Sequence, residues 1–349
     1  MKKILYLTNL EVPYRVAFFN QLAKQCDLTV LYERKKSTRD AKWIGSEKIN
    51  HTVMYLDGIN IGNENSFSFK IAEIVRRKWD LVIVGCYNSK VQIFAMMVMR
   101  LSGIPFAINL DGEQFIGSGV KSSLKKMFLR GANAYLIAGH KTAENLKKAL
   151  GVTKVYPYNF SSLTKKEVSE NSGKYSRNNT VLVVGQYFDY KGMDVAYKTA
   201  ALDTSIKYKF VGMGKRTELF IQEIGGETDN VEIIPFLEKS KLFEEYKNCA
   251  MLLLPTRQEC WGLVINEAAS FGMPIVSTTG SGAAVEFLSD EYPQFLAKPD
   301  SPEELLYCVR KCFDANRDEY GNFLIRKSKD YTIEENVIVH IDLLEKEYE

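Results

Sequence analysis

Pro255-Thr256-Arg257-Gln258-Glu259-Cys260-Trp261-Gly262-Leu263-Val264-Ile265-Asn266-Glu267-Ala268-Ala269-Ser270-Phe271-Gly272-Met273-Pro274 is the stretch on which the reading of this chain turns. An apolar run, Ala250 to Leu254, leads into it, and another, Pro274 to Val276, leaves it. The pattern is strand, loop, helix, strand. Gly262 suits the turn into the helix, and Gly272 suits its C-terminal stop. Glu259 then stands at the helix mouth, where unpaired N–H groups of Gly262, Leu263 and Val264 favour an anion such as a phosphate. Glu267 lies about two turns further in. A loop carboxylate, a helix mouth and an inner carboxylate in line suit a sugar, a diphosphate and a ribose in turn.

The same alternation runs outward in both directions. In the first half, strand patterns at Ile4 to Thr8, Leu28 to Tyr32, Thr52 to Leu56, Leu81 to Gly85, Ile104 to Leu110 and Ala134 to Ala138 are separated by helical spacings. Those helices are expected over Tyr14 to Gln25, Phe69 to Lys78, Lys90 to Leu101, Ser122 to Leu129 and Lys141 to Leu150. Thr180 to Val184, Tyr208 to Val211 and Val231 to Ile234 repeat the architecture without repeating the sequence. Such alternation implies α/β domains with parallel sheets covered on both faces and sites at the strands' C-terminal ends. The polar stretch 161–179 has little apolar periodicity and reads as a linker. The expected domains are therefore 1–160 and 180–330, facing a cleft. A helical tail, 331–349, either crosses back to the first domain or caps the second.

Composition narrows the function. A chain of 349 residues, 46% hydrophobic and 26% charged, is expected to be a soluble protein of two domains. The longest apolar run, Val91 to Met99, lies between Lys90 and Arg100 and falls far short of a membrane span. Six cysteines without a C-x2-C pair and three scattered histidines form no metal cluster, and reduced thiols fit a cytoplasmic protein. Cys308 and Cys312, one helical turn apart, suit a buried helix face. The net charge of +3 is unevenly placed: residues 1–160 carry 24 Lys+Arg against 12 Asp+Glu, and the remainder 22 against 31. A basic first half suits an anionic partner: a membrane surface, a lipid-diphosphate acceptor or a nucleic acid, or else it is an ordinary solvated face. Without interleaved aromatic platforms, a nucleic acid fits least.

Glu259-x7-Glu267, followed by Ala268 and by Gly272-Met273-Pro274, resembles the donor signature of the retaining glycosyltransferases of family 4, of the bacterial polysaccharide or capsule type. That resemblance implies GT-B architecture, two Rossmann-like domains, with the nucleotide-sugar held mainly by the second. Gly185 to Asp194 is similar to the family's Gly-Arg-x4-Lys-Gly-x-Asp stretch, whose Arg and Lys clamp the donor diphosphate. Lys191 matches; Gln186 stands where the Arg is expected and brings no charge. Met213, between Gly212 and Gly214, matches the nucleotide-edge loop, and Phe236 the place where the base is met. In the first half, Asp111 takes the place of the family's residue near the reacting sugar, with Glu113 behind it; both also suit a turn. Arg15 opens the first helix and is a second candidate partner for the diphosphate. His140 suits a helix N-cap, with acceptor contact as the alternative.

The resemblance thus implies a retaining transfer of sugar from a nucleotide-sugar, UDP favoured over GDP, to a saccharide or lipid-linked saccharide, with no metal or other cofactor. Glu259, Lys191 and Asp111 are the catalytic candidates. Gln186, Lys191, Met213, Phe236, Glu259, Trp261, Gly262, Leu263, Val264 and Glu267 are the donor-binding candidates; Arg15, Glu113 and His140 lie on the acceptor or diphosphate side. A catalytically silent binding subunit of the same fold, favoured by Gln186, and a nucleotide-sugar epimerase stay open. The expected location is the cytoplasm, including the inner membrane face.

Overall fold

Runs such as Ile4-Leu5-Tyr6-Leu7 and Met251-Leu252-Leu253-Leu254 are apolar at every position. They cannot present one wet face, and each becomes a central strand buried on both sides. The computed structural model describes residues 1–34, 48–61, 65–85, 87–112, 126–225 and 228–347. The chain divides into two compact units, Met1–Ser162 with Ile333–Glu349, and Leu163–Thr332.

The first unit contains β1 (Lys3–Thr8), β2 (Asp27–Tyr32), β3 (Thr52–Tyr55), β6 (Leu81–Val84), β7 (Phe106–Leu110), β8 (Ala134–Ala138) and β9 (Val155–Tyr158). They form one parallel sheet in the order β3-β2-β1-β6-β7-β8-β9. A small antiparallel hairpin, β4 (Ile59–Ile61) with β5 (Asn65–Phe67), stands apart from it. The final helix, Ile333–Glu347, belongs to this unit and packs beside the helix Pro13–Leu22. Phe18 meets His340 edge-on at 4.8 Å, and Lys2 Nζ donates to the Leu344 carbonyl at 2.9 Å.

The second unit contains β10 (Thr180–Val184), β11 (Lys207–Val211), β12 (Val231–Ile234), β13 (Met251–Leu254), β14 (Ile275–Thr278) and the short β15 (Leu296–Ala297). Their order, β12-β11-β10-β13-β14-β15, is that of a doubly wound dinucleotide-type sheet, parallel throughout. Each unit is thus a Rossmann-like layer structure, and together they give the GT-B architecture. Part of the stretch read as a linker folds with the second unit. Thr164 caps the helix Lys165–Asn171 in a capping box with Glu167, and Asn171 Nδ2 donates to Ser270 Oγ at 2.9 Å. Among the described residues, no helix is long and apolar enough to cross a membrane.

Candidate functional site

In the second sheet β10 and β13 lie side by side, but the chain runs on from them to opposite edges. Loops leaving such a pair part at their carboxyl ends, and this switch point is where open α/β sheets bind ligands. Here the two loops are tied together. The Tyr190 carbonyl accepts the Arg257 N–H at 2.9 Å, the Gln258 N–H at 3.2 Å and the Thr256 hydroxyl at 2.9 Å. Gly192, at φ +68°, lies so close to the other loop that a Cβ would stand 2.2 Å from the Pro255 carbonyl oxygen. Arg257 closes the seam. Its guanidinium takes both Asp194 oxygens at 2.7 and 2.8 Å, Asp300 Oδ1 at 2.5 Å and the Asp189 carbonyl at 2.6 Å. The Asp194 hydrogen bonds foremost, against the cost of burial, raise the Arg257 pKa above its ordinary value.

This seam sets Lys191 Nζ on Glu259 Oε1, an ion pair whose side chains are 19% and 17% exposed. The Glu259 main chain is held from the far side, its N–H donating to the Gly280 carbonyl at 2.9 Å. Glu259 Oε2 is buried and has no hydrogen-bond partner among the described residues. It faces Gly262, whose missing Cβ would stand 3.6 Å from it and 2.9 Å from Ser281 Oγ. Gly262, at φ +109°, opens the helix Leu263–Ser270, and half-buried Leu263 and Val264 form its first turn. The geometry brings three things together: an ammonium, a carboxylate oxygen that requires a donor, and the positive end of a helix. A hydroxyl suits the oxygen, while a phosphate suits the ammonium and the helix end.

The remaining donor-side candidates divide in two. Glu267, half-buried, accepts the Tyr246 hydroxyl at 2.9 Å; burial foremost, then the Glu267 charge, pushes that phenol far above its ordinary pKa. Gln186 sits half-buried just past β10 with its carbonyl on the Phe188 N–H at 3.0 Å, and Phe236 is half-buried beyond β12. Trp261 and Met213, by contrast, are each only 2% exposed. The Trp261 indole donates to Asn266 Oδ1 at 2.8 Å and stacks on Tyr331. Their side chains are core, so the contact these two positions can offer a ligand is main chain.

In the first unit, Asp111 follows β7 and binds Arg15 in an ion pair; the Arg15 side chain is 7% exposed and that of Asp111 31%. Tyr158 OH lies 2.9 Å from Asp111 Oδ1 and 3.0 Å from Asn109 Oδ1, and Asn109 Nδ2 lies 2.8 Å from His340 Nε2. His340 Nδ1 lies 2.9 Å from the Asn336 carbonyl, an acceptor only, so the proton is on Nδ1 and Nε2 accepts from Asn109. Burial holds His340 neutral, pushing its pKa down to about 3. The Arg15 guanidinium, a candidate partner for the diphosphate, is held by Asp111 and, at 3.4 Å, by Tyr6. Desolvation, the largest single effect, opposes its charge, but Asp111 together with Tyr6, Tyr14 and Tyr158 outweighs it and raises its pKa. His140 is the exposed first residue of the helix His140–Leu150, whose N-cap is Gly139, not the histidine. Glu113 lies outside the described residues.

Reading by motif overlooked Arg257, Asp194, Asn109, Tyr158 and His340. Arg257 stands two residues before Glu259, and Asp194 closes the stretch containing Lys191, so proximity in sequence was the signal available. The network behind Asp111 joins positions from 15 to 340 and leaves no local signature. Among the described residues, no three His, Cys, Asp or Glu side chains are gathered as a metal ligand set.

Comparison with known proteins agrees with the fold. The family described as glycosyl transferases group 1 matches residues 164–330, nearly the whole second unit. An uncharacterised glycosyltransferase of Methanocaldococcus jannaschii is 27% identical over 170 residues, 48% of this chain and 46% of that protein. The lipopolysaccharide glucosyltransferase WaaG of Escherichia coli is 28% identical over 149 residues, 41% of this chain and 39% of its own. The match thus spans less than half the length of these relatives. Among solved structures, Anabaena Alr3699/HepE in complex with UDP superposes with a TM-score of 0.71 over 98% of both chains at 16% identity. The sucrose-phosphate synthase of Thermosynechococcus elongatus reaches 0.73 over 99% of both at 12%. The chain is a GT-B protein related to the glycosyltransferases.

Proposed function

We propose that this protein is a retaining glycosyltransferase that needs no metal. It would move a sugar from a nucleotide-sugar, UDP-linked in preference to GDP-linked, to a saccharide or lipid-linked saccharide in cell-surface polysaccharide synthesis. The observation that carries the reading is the Lys191–Glu259 pair at the switch point, with one Glu259 oxygen buried and unpaired. Glu259 Oε2 accepts donor-sugar hydroxyls, and Glu267 receives the ribose. Lys191 and the N–H groups of the first helical turn stabilise charge that grows on the leaving diphosphate. The bond from the sugar to the diphosphate breaks and the acceptor oxygen bonds on the same face. Its proton passes to the departing phosphate. UDP in Alr3699/HepE supports the choice of base. Asp111, with Arg15 and Tyr158 holding its carboxylate, is the catalytic candidate of the first unit. The basic first half suits a lipid-linked acceptor at the inner face of a membrane.

Thermal denaturation against UDP-, GDP- and ADP-sugars, with EDTA present, tests the reading. Saturating ligand at about 100 Kd adds about 2.7 kcal/mol, which for a unit of this size raises Tm by about 5–10 °C. We expect that rise with UDP-sugars and its loss in Glu267→Ala and in Lys191→Ala. A folded protein that responds to no nucleotide-sugar ends the proposal. Gln186, neutral where the family's stretch has Arg, favours a second reading, a silent binding subunit. Release of UDP from a bound UDP-sugar, however slow, excludes it.

A further inference from the structure

A second polar cavity lies at the other end of the same sheet. It occupies about 130 Å³ and is lined in part by Lys174, Arg177, Gly272, Arg317, Asp318 and Asn322. Its walls come from the segment before β10, the turn before β14 and the start of the helix Arg317–Ser328. These are the amino ends of the strands, opposite the loops that hold Lys191 and Glu259.

Two guanidinium groups share this cavity with Lys174 and the Asp318 carboxylate, and among the described residues neither guanidinium forms an ion pair. Among the described residues Arg177 donates to main-chain carbonyls, those of Tyr246, Cys249 at 3.2 Å and Phe271 at 2.7 Å, so its full charge persists. Arg317 Nη1 is buried without a hydrogen-bond partner, and no carboxylate lies within 4.0 Å of this guanidinium among the described residues. It lies over the Phe313 ring, 5.9 Å from the ring centroid. Arg317 is also the first residue of its helix, where the helix dipole disfavours a cation. Burial foremost lowers the Arg177 pKa to about 10, against Tyr175 and Cys249, and the nearby charge of Arg317 adds a smaller push in the same direction. Like charges held together in a hollow, one with an unused donor, are relieved by an anion.

We propose that this cavity binds a phosphate-class oxyanion, free or carried on a small sugar, at a site separate from the nucleotide loops. Two guanidiniums match a doubly charged tetrahedral group better than a single carboxylate. The volume is enough for such a group with a few waters.

The test is calorimetric titration and thermal denaturation with sodium phosphate at constant ionic strength, on the wild type, Arg317→Gln and Lys191→Ala. The expected result is saturable binding that Lys191→Ala keeps and Arg317→Gln weakens at least tenfold. Without phosphate, Arg317→Gln melts at or above the wild-type temperature, because the opposed charges have been parted. Glucose 6-phosphate binding more tightly than phosphate upholds the proposal in its sugar-borne form, and the reverse upholds it for the free ion. Equal binding by the wild type and Arg317→Gln overturns it, as does the absence of saturable binding. Loss in Lys191→Ala alone also overturns it, by moving the anion to the loops after β10 and β13. Marked destabilisation of unliganded Arg317→Gln overturns it too, since that arginine would then be structural.

Discussion

Gly192→Ala separates two reasons for a glycine at the seam. The residue sits at φ +68°, and its Cα lies against the Pro255 carbonyl, 2.2 Å from where a Cβ would be. The left-handed conformation alone costs an L-residue about 1–2 kcal/mol, partly offset by about 0.4–1 kcal/mol from a stiffer unfolded chain. The overlap adds about 1–3 kcal/mol, because a carbonyl oxygen cannot rotate away as a flexible side chain can. The sum is a loss of about 2–4 kcal/mol. Gly225→Ala supplies the control within the same unit: φ there is +80°, with nothing within 4 Å of the added carbon. It should cost about 1 kcal/mol. For a unit of this size each kcal/mol moves Tm by about 2–4 °C, so scanning calorimetry should find drops of about 4–16 °C and about 2–4 °C. The seam also fixes Lys191 against Glu259, so Gly192→Ala should weaken nucleotide-sugar binding and Gly225→Ala should leave it intact. Equal shifts in the two variants would refute the reasoning, since strain at positive φ would then explain everything and the close approach nothing.

Two further predictions concern the first unit. His340 is held neutral down to about pH 3 by burial, against 6.5 when free, so the unfolded chain binds the extra proton in that window. Stability is therefore complete above pH 6.5 and lost as pH falls; from about pH 7.5 to about pH 5.5 the share due to this residue is about 1.4 kcal/mol. Urea denaturation of His340→Gln should show a pH slope shallower by that amount, and an unchanged slope counts against it. Asp111→Asn leaves the Arg15 guanidinium buried without a counter-charge. Because Asp111 is itself part-exposed, we expect a loss of about 2–4 kcal/mol rather than the upper limit for a buried pair, with partial recovery on adding Arg15→Met. A cost below about 1 kcal/mol would show that the pair is dispensable.

What could be read without coordinates follows the physics of each element. Ala134–Ala138 is an unbroken apolar run, Thr180–Val184 is apolar after its first residue, and Val231–Ile234 is broken only by Glu232; the structure places them as β8, β10 and β12 with those bounds. β9 was missed because Pro157 argues against a strand; it survives because β9 is the edge of the sheet, where a missing N–H costs least. The helix after β10 starts at Met193, because Asp189–Lys191 forms a 3-10 turn that Gly192 ends in the left-handed region. The helix in the supposed linker was announced by Thr164-Lys165-Lys166-Glu167, a capping-box pattern obscured by polar composition. Pairings were not legible. Lys191 and Glu259 were each named from their own loop, yet nothing local says that positions 68 residues apart share an ion pair. Arg15 is a candidate diphosphate partner by sequence, and its ion pair with Asp111, just past β7, lies beyond any local pattern.

The two cations of the second unit's seam differ in how fully they are satisfied, and that difference separates framework from site. Arg257 has two carboxylates and a main-chain carbonyl around a planar fork, more acceptors than a single charge requires. Such a group has nothing to gain from a ligand and serves to lock the loops. Lys191 has one charged partner, and that partner has a buried oxygen with no donor. An ammonium on a flexible stem can turn towards a phosphate while keeping Glu259 within reach, and a sugar hydroxyl can supply the missing donor. Binding then improves the hydrogen bonding of both groups, whereas the same ligand placed on Arg257 would have to break bonds already made. The over-satisfied arginine holds the geometry so that the under-satisfied pair is presented to the ligand.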